Sequence, residues 1–422
     1  MTSKKPNVVI AGAGIGGLTL ALELHAVGVP CVLLEATPEQ RELGVGINLL
    51  PHATRALSRL GLQDALSRVA VTTRESIFFT RHGQFIYREP AGLAAGYAWP
   101  QFSIHRGELQ RVLTDAVRDR LGADVIRLDH RVAGFTQDDA TATVTVEHAD
   151  GTWSQVTGDV LVGADGVHSA VRRQLHPEAG KPHYTGYMMW RGTTVHPPFL
   201  SGGSMLRAGW LATGKLVAYP IRENVDGNGS QLINWLAEVE GPERAQRDWT
   251  RRGNLDDFIG HFEDWHFDWL DVPALFRSAQ EVLEYPMVDS DPLPWWTQGR
   301  VTLLGDAAHP MVPRGSNGSA QAILDARALA ALLADAGDSL EAALRSYDDE
   351  RREATAQVVL TNRRNPPDAL LREVYERTGD QPFDRLSDVI TDAEIAAMMS
   401  AYRNVAGFSA EHLTTGHLTT GT

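Results

Sequence analysis

The residues with the clearest chemical potential come first in the chain. Gly12-Ala-Gly14-Ile15-Gly16-Gly17 fits the spacing G-x-G-x-x-G, and Glu35 follows eighteen residues after Gly17. Glycines at this spacing suit a backbone that must pass close to a diphosphate. Gly12 permits a tight turn, Gly14 leaves room for the anion, and Gly17 lets the next helix pack close to the preceding strand. The helix N-terminus adds unpaired N–H groups and the positive end of a dipole. An acidic side chain at position 35 accepts hydrogen bonds from a ribose and disfavours a 2′-phosphate, so the turn is expected to take FAD or NAD.

The surrounding elements support that reading. Asn7–Ala11 is a short apolar run of the kind buried on both faces of a parallel sheet. Leu18, Ala21, Leu22 and His25 then fall at helical spacing, and Cys31–Leu34 is a second apolar run, which completes a βαβ unit. Helix is expected over Pro51–Val69 and Glu108–Leu121, and a hairpin across Arg81-His82-Gly83. Alternation over Val132–Val146 and the Asp150-Gly151 turn give further strands. The middle, Tyr184–Tyr285, is rich in tryptophan and tyrosine, with strands expected at Tyr187–Thr194, Lys215–Pro220 and Gln231–Leu236. A long alanine-rich helix is expected over Ser319–Asp335, and a helical appendage after Arg364. The near-repeat from His412 to Thr422 lacks apolar periodicity and is expected to pack poorly.

Bulk properties exclude several classes. The 422 residues, 43% hydrophobic, are enough for two or three structural units. A net charge of −14 argues against nucleic acid or an anionic membrane as partner. No apolar run is long enough to span a bilayer and no signal peptide is evident, so a cytoplasmic protein is expected, monomeric or homodimeric. The single Cys31 excludes an intrachain disulfide framework, and His52, His105, His168 and His309 share no ligand spacing, so no metal is expected.

Three later segments narrow the cofactor. They are Asp159-Val-Leu-Val-Gly-Ala-Asp165-Gly166-Val-His-Ser169-Ala-Val-Arg172, Gly299-Arg300-Val-Thr-Leu-Leu-Gly305-Asp306-Ala-Ala-His309-Pro310, and Ser103-Ile-His105-Arg106-Gly-Glu-Leu109. Together with the first glycine turn, and in this order, they resemble the motifs of the flavoprotein aromatic hydroxylases, the class A FAD-dependent monooxygenases. Leu43–Asn48, Met189–Gly192 and Ser319–Asp325 add to the resemblance, which covers about residues 7–360. It is nearest to the subgroup containing 5-methylphenazine-1-carboxylate 1-monooxygenase, with salicylate hydroxylases more distant. Two departures are the missing proline after Arg351-Arg352 and Ala36 where a basic residue often follows the acidic one.

The resemblance implies an α/β fold: a Rossmann-type FAD-binding domain from residues 1–74, 98–183 and 284–362, interleaved with a sheet-rich substrate domain from 75–97 and 184–283. Residues 363–422 would form the helical appendage. It implies that Gly12, Gly14, Ile15, Gly16, Gly17, Glu35, Gly46, Arg106, Asp165, Asp306 and Gly318 hold FAD. The backbone of Pro313, Gly315, Ser316 and Asn317 would then lie beside the flavin. Its N–H groups would stabilise negative charge on the reduced ring. Trp190, Arg191, Tyr219, Trp235 and Tyr285 are the expected substrate contacts. The implied reaction consumes NADH or NADPH and O₂ and hydroxylates an aromatic or N-heteroaromatic substrate through a flavin C4a-hydroperoxide, with or without decarboxylation. An FAD-linked reductase or desaturase on the same fold, and a non-catalytic flavin sensor, remain as alternatives.

Overall fold

The computed structural model describes residues 5–39, 45–180, 182–242, 251–337, 339–364 and 368–406; Leu43, Gly44 and the near-repeat at 412–422 fall outside them. Val8–Ala11 sits at the centre of a five-stranded parallel sheet, flanked by Val160–Gly163 and Cys31–Leu34, with Val301–Leu303 and Ile126–Arg127 at the edges. Its four apolar side chains are fully buried on both faces, and burying each of the larger ones stabilises the sheet by roughly 1.5–3 kcal/mol. Helices Ile15–Ala26 and Gly318–Ala334 pack together over this sheet. Three chain segments far apart in sequence therefore build one layer, as a discontinuous Rossmann-type domain requires.

The predicted helix over Pro51–Val69 is two helices, Pro51–Arg59 and Gln63–Ser67, because Gly61 adopts a left-handed φ of 71° between them. The hairpin at Arg81-His82-Gly83 joins Glu75–Phe79 to Phe85–Pro90. Those strands form one edge of a seven-stranded sheet that continues through Ser204–Trp210, Gly214–Arg222, Gln231–Glu240 and His183–His196 to Val282–Asp289. Val282–Asp289 pairs with His183–His196 along its length, so the second layer extends through Asp289 rather than ending at 283. Two single 3₁₀ turns, Leu255–Asp257 and Ile259–His261, follow on the outer side of this sheet.

Side chains alternate across this large sheet. On its outer face Trp190, Trp235, Phe258, Phe262, Trp265 and Phe276 share one apolar cluster. Its inner face turns towards the Rossmann-type layer and carries Met189, Val217, Tyr219, Leu236, Tyr285 and Met287, packed against Val312. The C-terminal helices Ala369–Thr378 and Asp392–Ala406 pack against the edge strands through Leu370, Leu371, Val374, Ile395 and Met399, which meet Phe78 and Ile86.

Asp368, at the start of the first of these helices, reaches the inner face. It pairs with Lys215 Nζ (2.5 Å) and with Arg207, and Lys215 also donates to Glu238 Oε1 (2.8 Å). Burial would raise the Asp368 carboxyl, but the two cations outweigh it and hold the group well below the usual carboxylate range. A depressed folded-state pKa gives stability that is present above the unfolded value and is lost as pH falls towards the folded one. Asp368→Asn leaves Lys215 and Arg207 short of a buried counter-charge and is expected to cost about 3–5 kcal/mol. Thermal unfolding should show a lowered Tm near neutral pH, with the gap from wild type narrowing below about pH 4; equal Tm values at neutral pH would contradict this role.

Candidate active site

The first glycine turn is built for a ligand as well as for packing. Gly12 has φ 101°, and a Cβ there would lie 2.5 Å from the Ala164 carbonyl oxygen. A Cβ on Gly17 would lie 2.0 Å from the Gly12 carbonyl oxygen, and one on Gly16 2.7 Å from Leu304. These three glycines are therefore required by the protein's own contacts. Gly14 differs: it is the N-cap of Ile15–Ala26, and a Cβ there would meet nothing within 4 Å. Open space in front of a helix N-terminus is what an approaching diphosphate needs. Glu35 closes the neighbouring strand, where its carboxylate accepts from Ala13 N–H (2.9 Å) and from Thr37 N–H (3.0 Å). It thus ties the end of strand Cys31–Leu34 to the glycine turn.

Asp165 is mostly buried. Its Oδ2 accepts from Ala170 N–H (2.7 Å), its Oδ1 has no hydrogen-bond partner, and burial raises its pKa. Asp306 lies on a 3₁₀ turn after Val301–Leu303 with its side chain open to the cleft. Desolvation still raises its carboxyl, partly offset by His309 and Arg106. Arg106, the exposed first residue of helix Arg106–Leu121, bears electrostatically on Asp306, Arg191 and Tyr285 alike, which places it between the two layers.

The turn carrying Asp306 is braced from behind by residues that spacing alone did not single out. Asp325, fully buried, accepts from Gly305 N–H (3.1 Å), His309 Nε2 (2.6 Å) and Arg351 Nε (2.8 Å). Burial would raise Asp325, but His309 and Arg351 outweigh it and lower its pKa. His309 is thereby a packed structural residue against Trp296. Next along the chain, Gly315 (φ 71°) and Ser316 (φ 59°) are both left-handed, and they turn the backbone into helix Gly318–Ala334. A serine in that region stores strain of about 1–3 kcal/mol, held by its surroundings. A Cβ on Gly318 would sit 4.0 Å from Asp306 Oδ1, so the loop and the Gly-Asp turn share one wall.

Opposite that wall the large sheet grips the peptide of Gly46. Gly46 N–H donates to Asn234 Oδ1 (2.7 Å), and its carbonyl accepts from Arg191 Nη2 (2.6 Å) and Tyr219 Oη (2.9 Å). A Cβ on Gly46 would lie 2.6 Å from Ile221 and 2.7 Å from Asn234. Arg191 also lies 5.9 Å from the centre of the Tyr285 ring. Burial pushes the Arg191 guanidinium down and the Tyr219 and Tyr285 hydroxyls up from their ordinary values. Arg191, Tyr219 and Tyr285 thus come together on the inner face with Gly46. Trp190 and Trp235 do not join them: Trp190 stacks on Phe258 (5.0 Å) and Trp235 packs on Phe276 (4.6 Å), both on the outer face. Their expected place in the substrate wall is corrected by the alternation of the strands that carry them.

The arrangement fits FAD. There is an open cradle at Gly14, an orphaned buried oxygen on Asp165, an accessible Asp306 and a glycine-lined loop at 315–318. Among the described residues no group of three or more His, Cys, Asp and Glu could hold a metal ion, and no helix is long and apolar enough to cross a membrane. Gly14→Ala should separate ligand from fold. The Cβ has room in the protein, so Tm should be nearly unchanged, while FAD affinity falls by about tenfold or more, or ~1.4 kcal/mol. Flavin-fluorescence titration of the apoprotein measures this, and unchanged affinity would remove Gly14 from the cradle.

Comparison with known proteins agrees with this geometry. Residues 5–210 and 288–362 match the model of the FAD binding domain family. The chain is 44% identical over 412 residues to phenazine 1,6-dicarboxylic acid hydroxylase of Lysobacter antibioticus, covering 96% of this chain and 98% of that protein. It is 30% identical over 364 residues to 6-hydroxynicotinate 3-monooxygenase of Bordetella bronchiseptica, covering 84% and 90%. A solved salicylate hydroxylase in complex with substrate superposes with a TM-score of 0.70 at 25% identity, covering 96% of this chain and 99% of that one. The chain belongs to the FAD binding domain family and is an FAD-dependent monooxygenase of the aromatic hydroxylase kind.

Proposed function

We propose that this enzyme hydroxylates an N-heteroaromatic compound of the phenazine type, in the space between the loop at Pro313–Asn317 and the inner face of the large sheet. NADH or NADPH and O₂ serve as co-substrates. The observation that carries the reading is the 44% identity, over nearly the full length of both chains, with an enzyme named for hydroxylating phenazine 1,6-dicarboxylic acid. When bound, FAD would pass the two electrons of NADH or NADPH to O₂ and so activate it.

The chain's own residues hold and shield that chemistry. Gly12, Gly14, Ile15, Gly16 and Gly17 present backbone to the diphosphate, Glu35 takes a ribose, and Asp306, Arg106 and Asp165 take the remainder of the cofactor. Gly46 and Gly318 let backbone approach the ring. The backbone N–H groups at Gly315, Ser316 and Asn317, after Pro313, would stabilise negative charge on the reduced flavin ring. Arg191 and Tyr219, both directed at the Gly46 carbonyl, lock that edge against the sheet. Tyr285 and the apolar residues Met189, Leu236 and Met287 keep water from the reacting ring. The enzyme works in the cytoplasm, where reduced nicotinamide is at hand, as a monomer or homodimer.

Incubation with NADH, ¹⁸O₂ and a panel of phenazine, pyridine and benzene carboxylic acids should give a product carrying one labelled oxygen, with NADH oxidation accelerated by the true substrate. NADH consumption without label in any product would assign a reductase instead, and no consumption with any compound would favour a sensor. Retention of the ring carboxylates in the product would exclude the decarboxylative course. Tyr219→Phe removes one of two donors to the Gly46 carbonyl. It should lower the coupled rate by about tenfold and raise hydrogen peroxide release, with bound FAD unchanged; an unaltered peroxide yield would contradict the locking role.

A further inference from the structure

The inner face of the large sheet carries an ionic cluster that hydroxylation of a neutral ring does not explain. Arg207, Lys215 and Arg314 contribute three cations, Glu238 and Asp368 two carboxylates. All five lie within the seam between the sheet, the flavin-side loop and the C-terminal helices, with Lys215 only 1% exposed and Arg314 9%. Asp368 and Lys215 are satisfied within the cluster. Arg314 is not. Its guanidinium lies over Tyr187, 5.2 Å from the ring centre, and its Nε and Nη2 are buried without a hydrogen-bond partner. Glu238 Oε2 stands 3.5 Å from Nη2, an ion pair without hydrogen-bond geometry, and is itself unpartnered.

Nε and Nη2 form the side-on edge of a guanidinium, the pair of parallel donors that matches the two oxygens of a carboxylate. A buried cation surplus with that edge unsatisfied is costly unless a further anion completes it. Arg314 also belongs to the loop at 313–317, so an anion held there lies beside the flavin-side backbone. We infer that the Arg314 edge receives a ring carboxylate of the substrate, while Glu238 Oε2 accepts a hydrogen bond from a donor on the same molecule, a ring N–H or hydroxyl. This rests on the reading that the inner face is the substrate wall. It makes Arg314 the residue that selects aromatic acids over their neutral analogues.

The test uses the FAD-loaded oxidised enzyme without NADH, so that binding is read as a perturbation of the flavin absorbance and no turnover intervenes. Phenazine 1,6-dicarboxylic acid and its diamide are the probes. Wild-type protein should bind the acid at least about tenfold more tightly than the diamide. Arg314→Met should abolish that preference by weakening the acid alone, and Arg314→Lys, which keeps the charge without the fork, should recover only part of it. FAD content and Tm of both variants show that the loop has kept its fold. Equal affinity of wild type for acid and diamide, or equal loss of both in Arg314→Met, would assign the guanidinium to Glu238 alone and overturn the inference. Turnover of a neutral phenazine with ¹⁸O incorporation, but without any preference for the acid, would sink this inference and leave the monooxygenase reading standing.

Discussion

One residue, Gly46, is gripped through both of its backbone polar groups by the large sheet. Gly46 opens strand Gly46–Leu49 of a separate three-stranded sheet, yet its N–H and carbonyl are both satisfied by side chains of the large sheet, Asn234 for the N–H and Arg191 and Tyr219 for the carbonyl. No other residue type fits, because a Cβ would run into Ile221 and Asn234. Asn234 is fully buried, and an unmade hydrogen bond there would cost about 1–3 kcal/mol. The approach of the sheet to Gly46 is thus fixed by three directional bonds rather than by apolar contact, which tolerates sliding.

The opposite wall is fixed by a similar device. Asp325 gathers Gly305, His309 and Arg351 around one carboxylate and so sets the Gly-Asp turn from behind. Asp368 does the same at the seam with Lys215 and Arg207. In both places the partners of a buried carboxylate hold its pKa down against the effect of burial, and removing one partner would strand the others. Ser316, with a left-handed φ of 59°, is the strained residue of the neighbouring loop. A backbone in a sparsely populated conformation persists only where its surroundings over-determine it, and here helix Gly318–Ala334 behind and Arg314 in front do so.

Much of this was legible in the sequence, and the failures have one origin. Gly12, Gly17, Glu35, Asp165 and Asp306 act through local backbone geometry, so their spacing reveals them. The pairing of Trp190 with Arg191 as neighbours in one wall could have been excluded without a structure, since adjacent residues on a strand point to opposite faces. Tryptophan content suggested a pocket, but the tryptophans Trp190 and Trp235 pack against the 3₁₀ turns near Phe258 and the helix at Phe276. Asn234, Lys215 and Glu238 alternate with apolar neighbours on Gly214–Arg222 and Gln231–Glu240. Polar residues set singly into largely apolar strands were the available signal. Asp368 carried none, because its role depends on a fold-back of the C-terminal segment onto strands more than a hundred residues earlier in the chain.

Net charge and local charge pull in opposite directions here, and the balance bears on how an anion would reach the site. At −14 the molecule as a whole repels an anionic substrate at long range. That repulsion is screened over about 8–10 Å at physiological ionic strength. Within the seam the effective dielectric is lower, and Arg314, Arg207 and Lys215 stand against Glu238 and Asp368. The local sign is therefore positive where the global one is negative. Encounter with an acid would be slowed modestly and depend on salt, whereas retention would be governed by short-range hydrogen bonds that salt hardly reaches. Discrimination between acids and neutral rings then lies in dissociation rather than association, which suits an enzyme that must hold its substrate motionless and dry while oxygen is transferred.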